Sequence, residues 1–306
     1  MILVTGGLGM IGAHTARALT DLGHEVVVTA HRRTEVPSFL AGRVTVESLD
    51  VTDRDAFLAL AGRHDISDIV HLAGSIPGQD PVCFFRTDTA GLLNALDAAR
   101  TWGVRRFAVA SSLGVYLGRT ETRWHEELAL PAAQVPHLII AFKKAVEPLT
   151  THALQGSGVQ PVVLRIGTIW GPLVDPESPF FYIPPYISAV LRGAEPRLLH
   201  ADDGGDCCYA PDAGRAIALL TTAENLRHDT YNVSSGRPFA NREFADALQA
   251  ITPGLRLDLL PGRQDGPGSD PYLDTTRLSR DTGFAPAFDV ASAVADYVTW
   301  RAGNPR

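Results

Sequence analysis

Cysteine is scarce in this 306-residue chain: Cys83, Cys207 and Cys208 are the only three, and none falls in a C-x-x-C spacing. That argues against a disulfide framework and a structural zinc site, and it fits a reducing, cytoplasmic setting. There is no run of about 18 apolar residues to span a bilayer, so no membrane association is expected. Met1-Ile2-Leu3-Val4 leads directly into a glycine turn, without the basic start and apolar core of a signal peptide. Positive charge is also short, with 27 Lys plus Arg against 34 Asp plus Glu and a net charge of −7. This is the wrong sign for a phosphate-backbone binder, and no local basic stripe offsets it, so nucleic acid is not an expected partner. Repeats and low-complexity tracts are missing. His125-Glu126-Glu127 is not an H-E-x-x-H helix and no G-x-S-x-G elbow occurs, so no metal site and no serine-hydrolase chemistry are expected. What remains is an ordinary globular composition, 45% hydrophobic and 20% charged. At about 150 residues per domain, the length suits one large or two modest domains.

Short apolar runs alternate with helical spacing along the first half. Ile2–Thr5, Val26–Val28, Val44–Val46, Ile69–Leu72, Phe107–Ala110 and Pro161–Arg165 read as strands, and a helix from Ile11 to Leu22 closes at Gly23. Strands that are continuously apolar and separated by helices predict a parallel sheet covered on both faces, an α/β fold. In the helix after residue 85, Leu92, Leu93, Leu96 and Ala99 mark one buried stripe. After Gly171-Pro172 a proline-rich aromatic loop from Phe180 to Tyr186 is expected, and a Gly/Pro stretch from Pro261 to Pro271 follows a strand at Leu257–Leu260. The expected division is a dinucleotide-binding domain over residues 1–172, to which 206–236 returns. Residues 173–205 and 237–306 then form a smaller, substrate-facing domain.

Gly6, Gly9 and Gly12 stand directly after the first strand, at the opening of a helix, in Thr5-Gly6-Gly7-Leu8-Gly9-Met10-Ile11-Gly12. A tight turn, backbone approach to a pyrophosphate and close helix–strand packing each need a missing side chain, and the helix N-terminus supplies N–H donors. Dinucleotide binding is therefore expected at Gly6, Gly9, Met10, Ile11 and Gly12. The second strand ends in Thr29-Ala30-His31-Arg32-Arg33, with no acid to bond an adenosine ribose. Arg32 and Arg33 are placed to meet a 2′-phosphate, which favours NADP over NAD, and His31 before them is a further cofactor-binding candidate.

With these residues the chain resembles the extended short-chain dehydrogenase/reductases, the NAD(P)-dependent epimerase/dehydratases, over nearly its whole length. Asp50-Val51 is similar to the family's adenine-contacting Asp and its neighbour, and His71-Leu72-Ala73-Gly74 to the loop under the pyrophosphate. Ser111-Ser112-Leu113-Gly114-Val115-Tyr116 is similar to the active-site strand end, which puts the catalytic serine at Ser112. Leu164-Arg165, Gly171-Pro172, Asp206-Cys207-Cys208-Tyr209, Asp212, Tyr231-Asn232-Val233 and Ser235-Gly236-Arg237 follow in family order. The resemblance implies a Rossmann-type doubly wound sheet, with the active site beyond the C-terminal strand ends. It also implies a homodimer packed through helices near residues 86–101 and 138–154.

The family's catalytic pair is Tyr-x-x-x-Lys. In Ile139-Ile140-Ala141-Phe142-Lys143-Lys144-Ala145-Val146-Glu147 the family's Lys-to-Glu spacing selects Lys143 and leaves Ile139 where the tyrosine would be. If Lys144 were the match instead, the counterpart would be Ile140; neither isoleucine transfers a proton. An ordered water, Tyr116, His137 or Lys143 are the candidates for that role, with Lys143 better suited to the nicotinamide ribose. Lys143 and Glu147 also fit an exposed i,i+4 ion pair. Thr168 and Gly205 stand where the family's nucleotide-sugar epimerases carry Asn and Arg on the diphosphate, and Asp88 stands where the family commonly has Asn. The expected function is an oxidoreductase or epimerase/dehydratase-like enzyme acting on a small or natural-product-like hydroxy or carbonyl substrate. Redox-neutral lyase or cyclase chemistry in the same pocket, and non-catalytic dinucleotide binding, are the alternatives.

Overall fold

A computed structural model describes residues 1–75, 80–179, 181–266 and 268–306. Seven strands form one parallel sheet: β1 (Ile2–Thr5), β2 (Val26–Ala30), β3 (Thr45–Ser48), β4 (Asp68–His71), β5 (Arg106–Ser112), β6 (Gln160–Ile166) and β7 (Thr230–Val233). Their order across the sheet is β3-β2-β1-β4-β5-β6-β7, and every pairing is parallel. The order reverses between β1 and β4, so the chain leaves these two strands in opposite directions and a crevice opens beyond their carboxyl ends.

The apolar strand runs account for this architecture. Successive side chains of β1 point to opposite faces: Ile2 and Val4 pack into one core with helices α1 (Met10–Asp21) and α6 (Ala210–Thr222). Leu3 packs into the other, with α3 (Pro81–Trp102) and α4 (Leu138–Leu154). Each fully buried Val, Leu or Ile contributes about 1.5–3 kcal/mol, so a sheet covered on both sides collects this gain from Ile2, Leu3 and Val4 alike. A third core lies further along the chain, where Trp170, Tyr186, Tyr209, Phe244 and Tyr297 pack edge-on or tilted among α5 (Ile183–Leu191), α7 (Asn241–Ile251) and α9 (Val290–Gly303).

Three local expectations need correction. Leu92, Leu96 and Ala99 are buried, but Leu93 is 49% exposed, because it lies just off the stripe. The aromatic segment is largely a helix rather than a loop: α5 takes Pro184 in its first turn, where a missing N–H costs nothing, and Tyr186 is core. Phe180 lies outside the described residues. Of the strand expected at Leu257–Leu260, only Leu259–Leu260 pairs, against Leu199–His200.

Candidate functional site

The glycine turn joins β1 to α1 and forms one wall of the crevice. Gly6 has φ +66°, and a Cβ there would lie 2.9 Å from the Ala73 backbone. A Cβ on Gly12 would lie 2.3 Å from the Gly6 carbonyl oxygen. The turn is therefore closed against α1 on one side and against Leu72-Ala73-Gly74, beyond β4, on the other. Ala73 donates its amide to Thr5 Oγ1 at 3.3 Å, and that hydroxyl also bonds His71 Nδ1 at 2.9 Å. Burial, with Lys143 nearby, pushes His71 down to about 3, so it is uncharged. Gly9 begins α1 with no side chain capping it, and Ala13 is the first amide to bond back, to Gly9. The amides of Met10, Ile11 and Gly12 thus point out of the helix end toward the crevice, a fitting cradle for a pyrophosphate.

His31, Arg32 and Arg33 leave the end of β2 exposed. His31 Nε2 lies 3.7 Å from Asp50 Oδ2, whereas neither guanidinium holds an ion pair or hydrogen bond among the described residues. Asp50 spends its other oxygen on its own turn, accepting from the Thr52 amide and hydroxyl, which holds its carboxyl below the usual range. Val51 packs against Gly91 of α3, and Asn94 donates to its carbonyl at 2.9 Å. These contacts hold the Asp50 turn onto α3.

Ser112 ends β5 and caps the short 3-10 turn Leu113–Tyr116, its Oγ accepting from the Gly114 amide at 3.1 Å. A Cβ on Gly114 would meet Ile140 at 2.0 Å, so α4 lies tight against this turn. From α4, Lys143 Nζ donates to the Ala110 carbonyl of β5 at 2.8 Å. Burial lowers its pKa to about 8, with the Asp88 carboxylate of α3 pulling the other way. Asp88 itself accepts from both the amide and the hydroxyl of Ser75.

The ion pair between Lys143 and Glu147 does not form. Glu147 instead takes both Nε and Nη2 of Arg165, at 3.1 and 2.8 Å, together with the Ser111 hydroxyl at 2.6 Å. Arg165 extends to the Tyr116 oxygen at 2.8 Å, and Tyr116 donates to Asn232 Oδ1 at 2.9 Å. Tyr116 is fully buried, stacked on Trp124 and pushed up to about 12 by burial. Its hydroxyl is enclosed in the core, held between the Arg165 guanidinium and the Asn232 side chain. His137 is exposed, one residue before α4. Ile139 packs at the edge of the second core. Among the described residues no group of three His, Cys, Asp or Glu could hold a metal ion, and no helix is long and apolar enough to cross a membrane.

The links between Ser75 and Asp88 and from Glu147 through Arg165 to Tyr116 escaped the sequence reading. Their partners come from different elements, and no local pattern announces them. For Asp88 the one signal was its departure from the family's usual Asn.

A family model described as the NAD dependent epimerase/dehydratase family matches residues 2–234. A dTDP-glucose 4,6-dehydratase of Streptomyces griseus is 29% identical, over 98% of this chain and 93% of that protein. Among solved structures, a UDP-glucose-4-epimerase from Stenotrophomonas maltophila, with bound NAD and formylated UDP-arabinopyranose, has a TM-score of 0.81 at 23% identity, covering 98% of this chain and 97% of that one. A UDP-glucose 4-epimerase from Thermotoga maritima, with UDP-glucose, also reaches 0.81, at 22% identity and covering 100% and 99%. A family match over more than two thirds of the sequence, on a sheet of this order, makes the chain a member of the NAD-dependent epimerase/dehydratase family.

Proposed function

We propose that the chain is an NADP-preferring enzyme of its family that acts on a hydroxyl or carbonyl group of a small, natural-product-like molecule without a phenolic acid–base group. The observation that carries this reading is the pairing of an intact dinucleotide cradle with an aliphatic residue at position 139. Gly6, Gly9 and Gly12 let the backbone approach a pyrophosphate, with the Met10 and Ile11 amides as donors and Leu72-Ala73-Gly74 closing the far side. Asp50 and Val51 would meet the adenine. Arg32 and Arg33, exposed and without an ion pair or hydrogen bond among the described residues, would meet a 2′-phosphate by charge-assisted hydrogen bonds. The nicotinamide, when bound, accepts or supplies hydride. Ser112 would hold the substrate oxygen, and Lys143 the ribose.

Relatives named for nucleotide sugars make such sugars the natural comparison. Thr168 and Gly205 replace the expected diphosphate contacts with a short hydroxyl and no side chain, which supports a substrate without a nucleotide. Residues 173–205 and 237–306 would form the part that binds it, and two copies would pack through α3 and α4.

The test is equilibrium titration of the purified chain with NADPH and NADH, alongside mass analysis of any dinucleotide released on denaturation. NADPH should bind at least about tenfold more tightly, a difference of about 1.4 kcal/mol. Replacing Arg32 and Arg33 with alanine should abolish the preference. Tighter binding of NADH would overturn the NADP assignment, and binding of neither would overturn the enzymatic reading.

A further inference from the structure

Position 139 leaves the crevice without its usual acid–base group, and the cluster around Lys143 offers a replacement. Lys143 reaches from α4 to the Ala110 carbonyl, two residues before Ser112 on the same strand. Asp88 faces the same crevice from α3. It is fixed by two donors of Ser75, and its Oδ2 lies 3.5 Å from where a Cβ on Gly74 would stand. Lys143 is thus tied to β5 and Asp88 to the segment just beyond β4, the neighbouring strand, each from its own helix, close enough for the Asp88 charge to act on the Lys143 amine.

We propose that Asp88 is the charge partner that tunes Lys143 to serve as the acid–base group of this active site in place of the absent phenol. Asp88 acts through Lys143 and is a positioning residue, whereas Lys143, beside the ribose it would hold, also meets the reacting oxygen that Ser112 holds. In the oxidative direction the substrate O–H bond breaks and an N–H bond forms on the uncharged amine, giving an alkoxide and an ammonium ion. In the reductive direction the ammonium returns that proton to the oxygen. Since its replacement by Asn would keep a similar shape, what Asp88 adds is negative charge, which steadies the ammonium form. Lys143 sits near the balance point this role needs: burial brings it to about 8, close to working pH, and Asp88 opposes a further fall.

The other groups around Lys143 are already accounted for. His71, from the end of β4, is uncharged. Glu147, one turn further along α4, is held by Arg165 and Ser111. Lys144 turns away to the carbonyls of Pro131 and Gln134. The chain contains only two lysines, Lys143 and Lys144, so each can be observed individually.

The inference rests on the proposed function above, and the test separates the two. Lysine-selective 13C labelling gives two ε-methylene signals, assigned with Lys144→Arg and followed by NMR across pH. Lys143 should titrate near pH 8 in the unaltered chain. Asp88→Asn should lower its midpoint by roughly half a unit or more, and Asp88→Glu, which keeps the charge, should restore it. A midpoint that does not move in Asp88→Asn overturns the pairing. NADPH-dependent reduction of a reactive dicarbonyl probe gives the second readout. Its rate should fall with rising pH through the Lys143 midpoint, at lower pH in Asp88→Asn than in the unaltered chain. A descending limb that ignores the midpoint overturns the proton role while leaving the enzymatic reading intact. Absence of reduction in every form, with Lys143 titrating as expected, overturns that reading and this one with it.

Discussion

Glu147 stands one helical turn beyond Lys143, a spacing at which an exposed acid and base would pair across the helix surface. It turns inward instead, because Arg165 of β6 would otherwise be a buried cation: their side chains are 7% and 12% exposed. The guanidinium fork meets the carboxylate on two atoms, and Ser111 and Tyr116 satisfy donors and acceptors left over. Such a pair is costly to break from one side, since the partner left behind has neither water nor counter-charge. Glu147→Gln should therefore lower unfolding free energy by about 3–5 kcal/mol in a denaturant titration. Removing both charges together, as Glu147→Leu with Arg165→Met, should recover most of that loss. A single variant as stable as the unaltered chain would mean that water reaches Arg165 and the enclosure is not real.

Helices α1 and α6 cross where the chain has dispensed with a side chain. A Cβ on Gly214 of α6 would lie 2.4 Å from the carbonyl carbon of His14 on α1, and backbone cannot swing aside as a flexible side chain can. Two effects compete in Gly214→Ala: alanine favours the helix by about 1 kcal/mol, and overpacking costs about 1–3 kcal/mol. With backbone as the obstacle the second wins, so the variant should unfold at lower temperature. Gly303→Ala, where nothing lies within 4 Å, should show no such drop. Neither contact could be read along the chain. The strands were legible because a sheet covered on both faces demands continuous apolar runs, and the glycine turn was legible because its chemistry is local. The two-residue ladders, such as Tyr272–Leu273 against Arg123–Trp124, carry no periodicity. Their pairing is decided by the tertiary fold, as are the partners of Asp88 and Glu147.

Across the whole molecule, Asp206 ties the central sheet to the C-terminal segment. Its carboxylate accepts from the Leu273 amide at 3.0 Å and the Ser234 hydroxyl at 2.8 Å, as well as from the backbone of Thr168. These partners come from the loops after β6 and β7 and from the ladder that pairs with Arg123–Trp124. The space is so confined that a Cβ on Gly167 would lie 2.2 Å from Asp206 Oδ2. Burial outweighs the hydrogen bonds and raises the carboxyl from 3.8 to about 6. Between those values the folded chain holds a proton that the unfolded chain has released, so this group's contribution to stability falls as pH rises. A shift of about two units corresponds to about 3 kcal/mol. Asp206→Asn keeps an acceptor oxygen and removes the titration. Measured at a series of pH values from about 4 to about 7, its unfolding free energy should therefore gain roughly 2.4 kcal/mol on that of the unaltered chain, the rest of the shift being spent below pH 4. Because all other titrations are common to both chains, they cancel in the difference. A difference that stays flat, or that moves against the asparagine variant with rising pH, would mean that the ionised carboxylate is well solvated and that the clasp is held by charge rather than against it.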